Sequence, residues 1–221
     1  FKQGRSKINP NSNIQFGEGG AGTFSDGKLS TNVNDDFIQF ILEEFYRHGA
    51  CEDVCYAAQP HVGTDYLAKV VCNIREEIIS LGGEFHFNTI FTDYTTEKDV
   101  VSVFCDNDKI FRTNHLLLCL GHSARDTIRH LYDKGLSMEA KAFSMGVRIE
   151  HKQKDINRMQ YGQFASFLPA ASYRAVVHLK ERSVYTFCMC PGGYVVNASS
   201  APGHTCVNGM SYSDRASDNA N

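Results

Sequence analysis

Five glycines crowd the segment Gly17-Glu18-Gly19-Gly20-Ala21-Gly22-Thr23-Phe24-Ser25-Asp26-Gly27-Lys28-Leu29. That is too many for a helix or strand interior, where each glycine gives up more backbone entropy than any other residue. A loop of this kind lets backbone N–H groups come close to an anionic or planar ligand. Gly17, Glu18, Gly19, Gly20, Ala21 and Gly22 supply the backbone, and Thr23, Ser25, Asp26 and Lys28 add polar side chains. Gly17, Gly19 and Gly22 satisfy a G-x-G-x-x-G spacing, which belongs between a strand and a helix. Here only Asn13 to Phe16 offers a strand, and Thr-Phe-Ser-Asp-Gly cannot continue as a helix. An ordered ligand loop and a flexible surface loop both stay open.

A second place for chemistry is Gly121-His122-Ser123, where an apolar run hands over to a helical pattern and orphan backbone donors favour a phosphate. Ser123 and Asp126 suit an ordinary helix start equally well. His122 and Arg125 either orient a ligand there or face solvent. The segment Phe187 to Tyr194 puts Cys188 and Cys190 on one strand face before Pro191-Gly192-Gly193. Spacing of two places their Cα atoms roughly 6.5 Å apart, too far for comfortable pairing with each other. Redox or substrate contact and core packing are both compatible with these thiols. Arg148, Glu150 and His151 end an alternating segment and form either a cleft cluster or a solvated strand end. Pro60-His61-Val62-Gly63-Thr64 reads as a loop capping the helix that follows.

Elements must position these groups. Phe37, Ile38, Ile41, Leu42 and Phe45 recur at helical spacing between Asp35 and His48, and Gly49 supplies a stop. From Thr64, the stripe Leu67, Val70, Val71, Ile74, Ile78 and Leu81 predicts a longer helix ending at Gly82-Gly83. Alternation over Glu84–Asn88, Ile90–Tyr94, Val100–Cys105 and Ile110–Arg112 predicts a β-meander turning at Asp106-Asn107-Asp108. Leu116 to Leu120, apolar on both faces, predicts a strand covered by helices, followed by a helix from Ser123 to Lys134. Beyond Phe143 the period shifts toward two, with strands expected at 144–150, 173–179, 184–190, 194–197 and 205–210 and a short helix near 155–161. A domain boundary is expected near Ala140 to Phe143, giving domains 1–141 and 142–221.

At 221 residues and 42% hydrophobic content the chain can bury a real core. A net charge of −3 with scattered Lys and Arg offers no field for nucleic acid. No apolar run approaches the ~20 residues of a membrane-spanning helix. The eight cysteines are too sparse for a disulfide scaffold, and none forms a CxxC pair or a metal-spaced Cys/His set. Free thiols and no signal peptide suggest a cytoplasmic protein. The polar opening without Met and the abrupt close at Asn221 suggest a piece of a longer protein.

Together, Asn13–Leu29, Pro60–Asp65, Asn73–Glu77, Gly121–Asp126, Gly146–His151, Gln160–Gly162, Phe187–Val196 and Asn208–Ser211 resemble a group of bacterial FAD-dependent dehydrogenases, the NAD(FAD)-utilising proteins. The resemblance implies an α/β fold: a partial FAD-binding, Rossmann-like (glutathione-reductase-like) domain with a β-meander, then a mostly antiparallel β-rich α+β domain. It implies that the dinucleotide-binding βαβ unit precedes this chain and that Gly17 to Leu29 lines the FAD. The Gly121-His122-Ser123 turn stands where such flavoproteins carry Ala-Thr-Gly, with Cys119 and Leu120 in the Ala and Thr places. NAD(P)H is a possible reductant and a small molecule the substrate. Arg148 is the expected anion clamp, His151 or Tyr161 the proton donor, and Cys190 stands near the ring, with Gly192 and Gly193 letting backbone approach it. The alternative is a non-catalytic flavin- or nucleotide-binding module.

Overall fold

A computed structural model describes residues 7–10, 12–24, 27–29, 31, 33–121, 123–187 and 189–221. Ser25, Asp26, His122 and Cys188, singled out above, lie outside the described residues. In chain order the elements are α1 (Phe37–Arg47), α2 (Thr64–Ser80), β1 (Phe91–Glu97), β2 (Val100–Cys105), β3 (Ile110–Thr113) and α3 (Arg125–Asp133). They continue with β4 (His151–Lys152), α4 (Gln153–Tyr161), β5 (Val176–His178), β6 (Ser183–Tyr185), β7 (Gly193–Asn197), β8 (Val207–Ser211) and β9 (Asn219–Ala220). The fold is mixed α/β with several small antiparallel sheets, and every strand pair among the described residues is antiparallel. No helix among these residues is long and apolar enough to cross a membrane.

Two compact units divide the chain: Phe1–Glu77 with Gly146–Asn221, and Ile78–Met145. In the first, α1 ends as its sequence predicts. Gly49 adopts φ 109°, and the amides of His48, Gly49 and Ala50 close on the carbonyls of Glu44, Tyr46 and Phe45. The apolar stripes of α1 and α2 then bury Ala50, Val54, Val62 and Val70, with Leu42, Phe45, Leu67 and Ile74 packed around them. Val54 and Val70 are fully enclosed and contribute on the order of 2 kcal/mol each. A second cluster, Ile156, Ala171, Met189 and Ala220, joins α4 to β9. Beside it β7 pairs with β8, from Gly193↔Ser211 to Asn197↔Val207.

In the second unit β1, β2 and β3 form a meander, and the turn into β3 uses Asn107 and Asp108 at φ 54° and 57°. Asp93 accepts bonds from Lys134 and from His130 Nε2 at 3.1 Å, tying β1 to α3. The Lys134 ammonium is the main reason its carboxyl is lowered to about 2. A depressed carboxylate stabilises above its unfolded value near 4 and loses that contribution as pH falls through 2. Because this group is over a third exposed, the contribution is at most about 1 kcal/mol. Urea unfolding at pH 6 and pH 3 should therefore show a smaller acid loss in Asp93→Asn than in the wild type; equal losses would remove the ion pair from the account.

Three expected strands are corrected. Leu116 to Leu120 forms no strand and is not buried, Leu117 being 81% exposed. The 144–150 segment likewise forms no strand, with Met145 85% and Val147 88% exposed. Apolar patterning makes a segment competent to be a strand, but a neighbour must take its N–H and C=O groups. None of the described strands does so. The 84–88 stretch is also irregular.

Candidate functional site

The described residues of the glycine-rich segment form turns rather than a helix or strand. Gly17, Gly19, Gly20 and Gly27 all take positive φ, and Gly20 to Phe24 forms a short 3-10 turn. Its far end docks on the loop before α2: Val62 N–H donates to Gly27 O and Leu29 N–H to Pro60 O, each at 2.9 Å, and Lys28 bridges His61. Gly27 is required at this junction, since a Cβ there would fall on the Val62 carbonyl. Glu18 reaches Arg75 Nε at 3.4 Å on α2. Lys28 Nζ donates to the Met189 carbonyl, joining the loop to the residue before Cys190.

Two features of the loop suit a flat or anionic group. Side-chain space beside Gly17 and Gly22 is open, and Thr23 Oγ1 is buried with no hydrogen-bond partner. A buried hydroxyl without a partner costs roughly 1–3 kcal/mol, which a ligand oxygen or nitrogen removes. The second unit repeats the pattern in miniature. Gly121 has φ 69° with open space at its Cβ position, and Ser123 Oγ is buried without a partner ahead of α3. Each segment thus offers a buried hydroxyl beside open glycine backbone, which is compatible with a polar, flat group such as a flavin nucleotide.

Arg148 and Cys190 meet. Arg148 Nη1 lies 3.9 Å from Cys190 Sγ and 3.1 Å from Asn221 Oδ1, and Nη2 lies 3.3 Å from Asn208 Oδ1. Cys190 is enclosed at 1% exposure, and its backbone pairs with Asn221 in both directions. Gly209 makes this convergence possible, because a Cβ at that position would run into Cys190 Sγ, Asn221 Oδ1 and Arg148 Nη1. His151 stands one pairing step away, opposite Ala220, with Nε2 2.8 Å from Tyr173 Oη. Tyr161 is not part of this group; it packs on the Ile156, Ala171, Met189 and Ala220 cluster.

Gly192 and Gly193 serve packing. Both are buried, the Gly192 amide donates to Gln153 Oε1 at 2.7 Å, and Cβ atoms there would strike the Arg215 and Met210 backbones. What approaches this turn closely is protein backbone, so it presents no open face to a ligand.

Sequence reasoning missed Asn221, gave Asn208 and Gly209 no role beyond the resemblance, and from the residues themselves read Pro60 to Thr64 as a cap. His61 Nε2 lies 3.4 Å from Ser211 Oγ, Thr64 Oγ1 donates to Ser211 O at 3.4 Å, and Ser213 donates twice to Asp65 Oδ1. A cavity of about 80 Å³ opens here among Cys51, Asp53, His61, Val62, Tyr66 and Ser213. The Cys51 sulfur, by charge and by hydrogen bond, holds the Tyr66 phenol above its ordinary value. The signal was a histidine in a Pro/Gly loop, but its partners lie about 150 residues on.

Comparison with known proteins gives this geometry a context. The chain is 48% identical over 225 residues to a protein of Clostridium beijerinckii (strain ATCC 51743 / NCIMB 8052) described only as uncharacterized. The alignment takes in 100% of this chain and 42% of that protein, so the chain spans less than half the length of the relative it matches. Residues 142–221, which carry Arg148, His151, Tyr161 and Cys190, match the family described as FAD-dependent protein, C-terminal domain-like.

Proposed function

We propose that the chain is the flavin-facing and substrate-facing portion of a longer, cytoplasmic FAD-dependent oxidoreductase acting as a dehydrogenase on a small molecule. The observation carrying this reading is the match of residues 142–221 to the FAD-dependent family, on the segment of the chain where Arg148 and Cys190 converge. In this reading residues 1–141 are part of a Rossmann-like FAD domain and 142–221 the substrate side. Gly17 to Gly22, Thr23 and Lys28 in the first unit, and separately Gly121 and Ser123 in the second, are the residues assigned to cofactor contact, each segment offering an unpartnered hydroxyl, Thr23 or Ser123.

The flavin, when bound, supplies two-electron acceptance. The chain's own residues orient and exclude. Arg148 holds an anionic group of the substrate, as a planar guanidinium does best. His151, steadied by Tyr173, is the nearer proton donor. Cys190, enclosed beneath Arg148, keeps that side chain in place, and NAD(P)H is the candidate reductant.

The absorbance spectrum of the full-length polypeptide as purified tests the cofactor: it should be yellow, and a colourless, FAD-indifferent protein removes the reading. A yellow protein that NADH, NADPH and other reductants never reduce makes it a binding module. Cys190→Ser then tests the site. Flavin content should hold and the reduction rate should fall less than ~10-fold, whereas a loss of ~10²-fold, the scale of a positioned proton-transfer group, would make the thiol a reacting group.

A further inference from the structure

We infer that Glu44, His48 and Glu77 form a binding site for one divalent first-row transition-metal ion, set in the first unit between α1 and α2. Glu44 and His48 stand four residues apart on α1 and at its end, hence on one face a turn apart. Glu77 comes from α2. One ligand atom from each residue lies within 4.8 Å of the other two. Small side-chain rotations bring such a set onto one ion with metal–ligand bonds of about 2.0–2.2 Å.

The orientation of His48 carries the argument. His48 is enclosed at 7% exposure, and Nδ1 lies 2.7 Å from the Glu44 backbone carbonyl and 3.8 Å from Glu44 Oε2. A carbonyl only accepts, so Nδ1 carries the hydrogen, and in the neutral ring the lone pair is then at Nε2. Nε2 is turned directly onto Glu77 Oε2, another acceptor. Two acceptors brought into contact need a positive centre between them, either a proton or a metal ion. Fixing the tautomer through Nδ1–H to a backbone carbonyl is the arrangement by which proteins aim a ligating imidazole. The Asn73 amide, which donates to His48 O at 2.7 Å, steadies the same turn.

Charge agrees. Two carboxylates and a neutral imidazole sum to −2, matching a divalent ion, and one nitrogen with two oxygens suits zinc, cobalt or manganese over calcium. Arg47 Nη2 lies 2.7 Å from Glu44 Oε2 and 3.0 Å from Glu77 Oε2. It is the built-in cation that holds the carboxylates together without the ion. Its side chain is 57% exposed and can swing into solvent when an ion takes its place. The site is separate from the residues proposed for flavin and substrate.

The test titrates the purified, metal-stripped protein with Co²⁺ alone, followed by visible absorption, with thermal unfolding in Zn²⁺ alongside. One saturable equivalent and a raised melting temperature are expected. Losing a ligand by His48→Gln or Glu77→Gln should weaken Co²⁺ binding by ~10²-fold or more, beyond what loss of a supporting partner costs. Arg47→Ala, which keeps all three ligands and touches an exposed side chain, should tighten binding severalfold. If circular dichroism shows that His48→Gln does not fold, Glu77→Gln decides alone. No saturable equivalent in the wild type, binding indifferent to the ligand substitutions, or a folded Arg47→Ala that binds more weakly would each overturn the site.

Discussion

Gly192→Ala is expected to destabilise the first unit by about 3 kcal/mol or more, enough to unfold a marginal domain. The backbone there sits at φ 56°, and an added methyl would land on the Arg215 carbonyl with Arg215 Cα only 2.8 Å away. A left-handed alanine alone costs about 1 kcal/mol. Overpacking against backbone, which cannot rotate away as a side chain can, adds about 1–3 kcal/mol. The displaced turn also pulls the Gly192 amide from Gln153 Oε1, a side chain 5% exposed, leaving a buried acceptor stranded. Urea unfolding of Gly192→Ala against wild type measures this, and a difference under about 1 kcal/mol would show that the 191–193 turn adapts where the geometry says it cannot.

Arg148→Ala is expected to cost about 2–3 kcal/mol of stability, because the guanidinium donates to Asn208 and Asn221 amide oxygens and lies on a buried thiol. Arg148→Lys should recover less than half of that, since a point ammonium on a flexible stem cannot reach two separated oxygens in a fork. If the same guanidinium also holds the substrate, Arg148→Ala in the full-length protein lowers turnover by ~10²–10³-fold with flavin content unchanged, the scale of losing a charged hydrogen bond. Chemical denaturation and flavin content answer the two parts separately. Lysine behaving as arginine does in both would reduce Arg148 to a generic positive charge.

Much of the local structure was legible because its causes are local. The stripe from Leu67 to Ile78 and the stop at Gly49 are set within a few residues, and the helices appear where period and punctuation put them. The meander strands β2 and β3 were readable from the Asp106 to Asp108 turn for the same reason. Leu116 to Leu120 and 144–150 were not, since a strand depends on a partner that no local pattern specifies. The Pro191-Gly192-Gly193 turn announced a close approach, and the sequence was silent on what approaches; it is the backbone of Arg215 and Met210. Of the candidate site, Arg148 and Cys190 were found, and they meet. Asn208, Gly209 and Asn221, which hold them together, are ordinary turn and strand residues until the chain folds back.

The bare segment around Arg148 bears on how the molecule behaves in company. Phe143, Met145, Val147 and Ile149 alternate along it at 60% exposure or more, while Arg148 between the last two is turned onto Cys190 and Asn221. A row of exposed apolar side chains that belongs to no described strand favours strand addition by a neighbouring chain. No charge interrupts it from Ala142 to Val147, and the first ionic residues on its far side are Arg148, Glu150, His151 and Lys152. Glu150 and Lys152, beyond the last apolar residue of the row, are placed as gatekeepers against edge-to-edge growth. Arg148 is spent on the interior cluster, so the charges left to limit self-association along this stretch are those that follow Ile149.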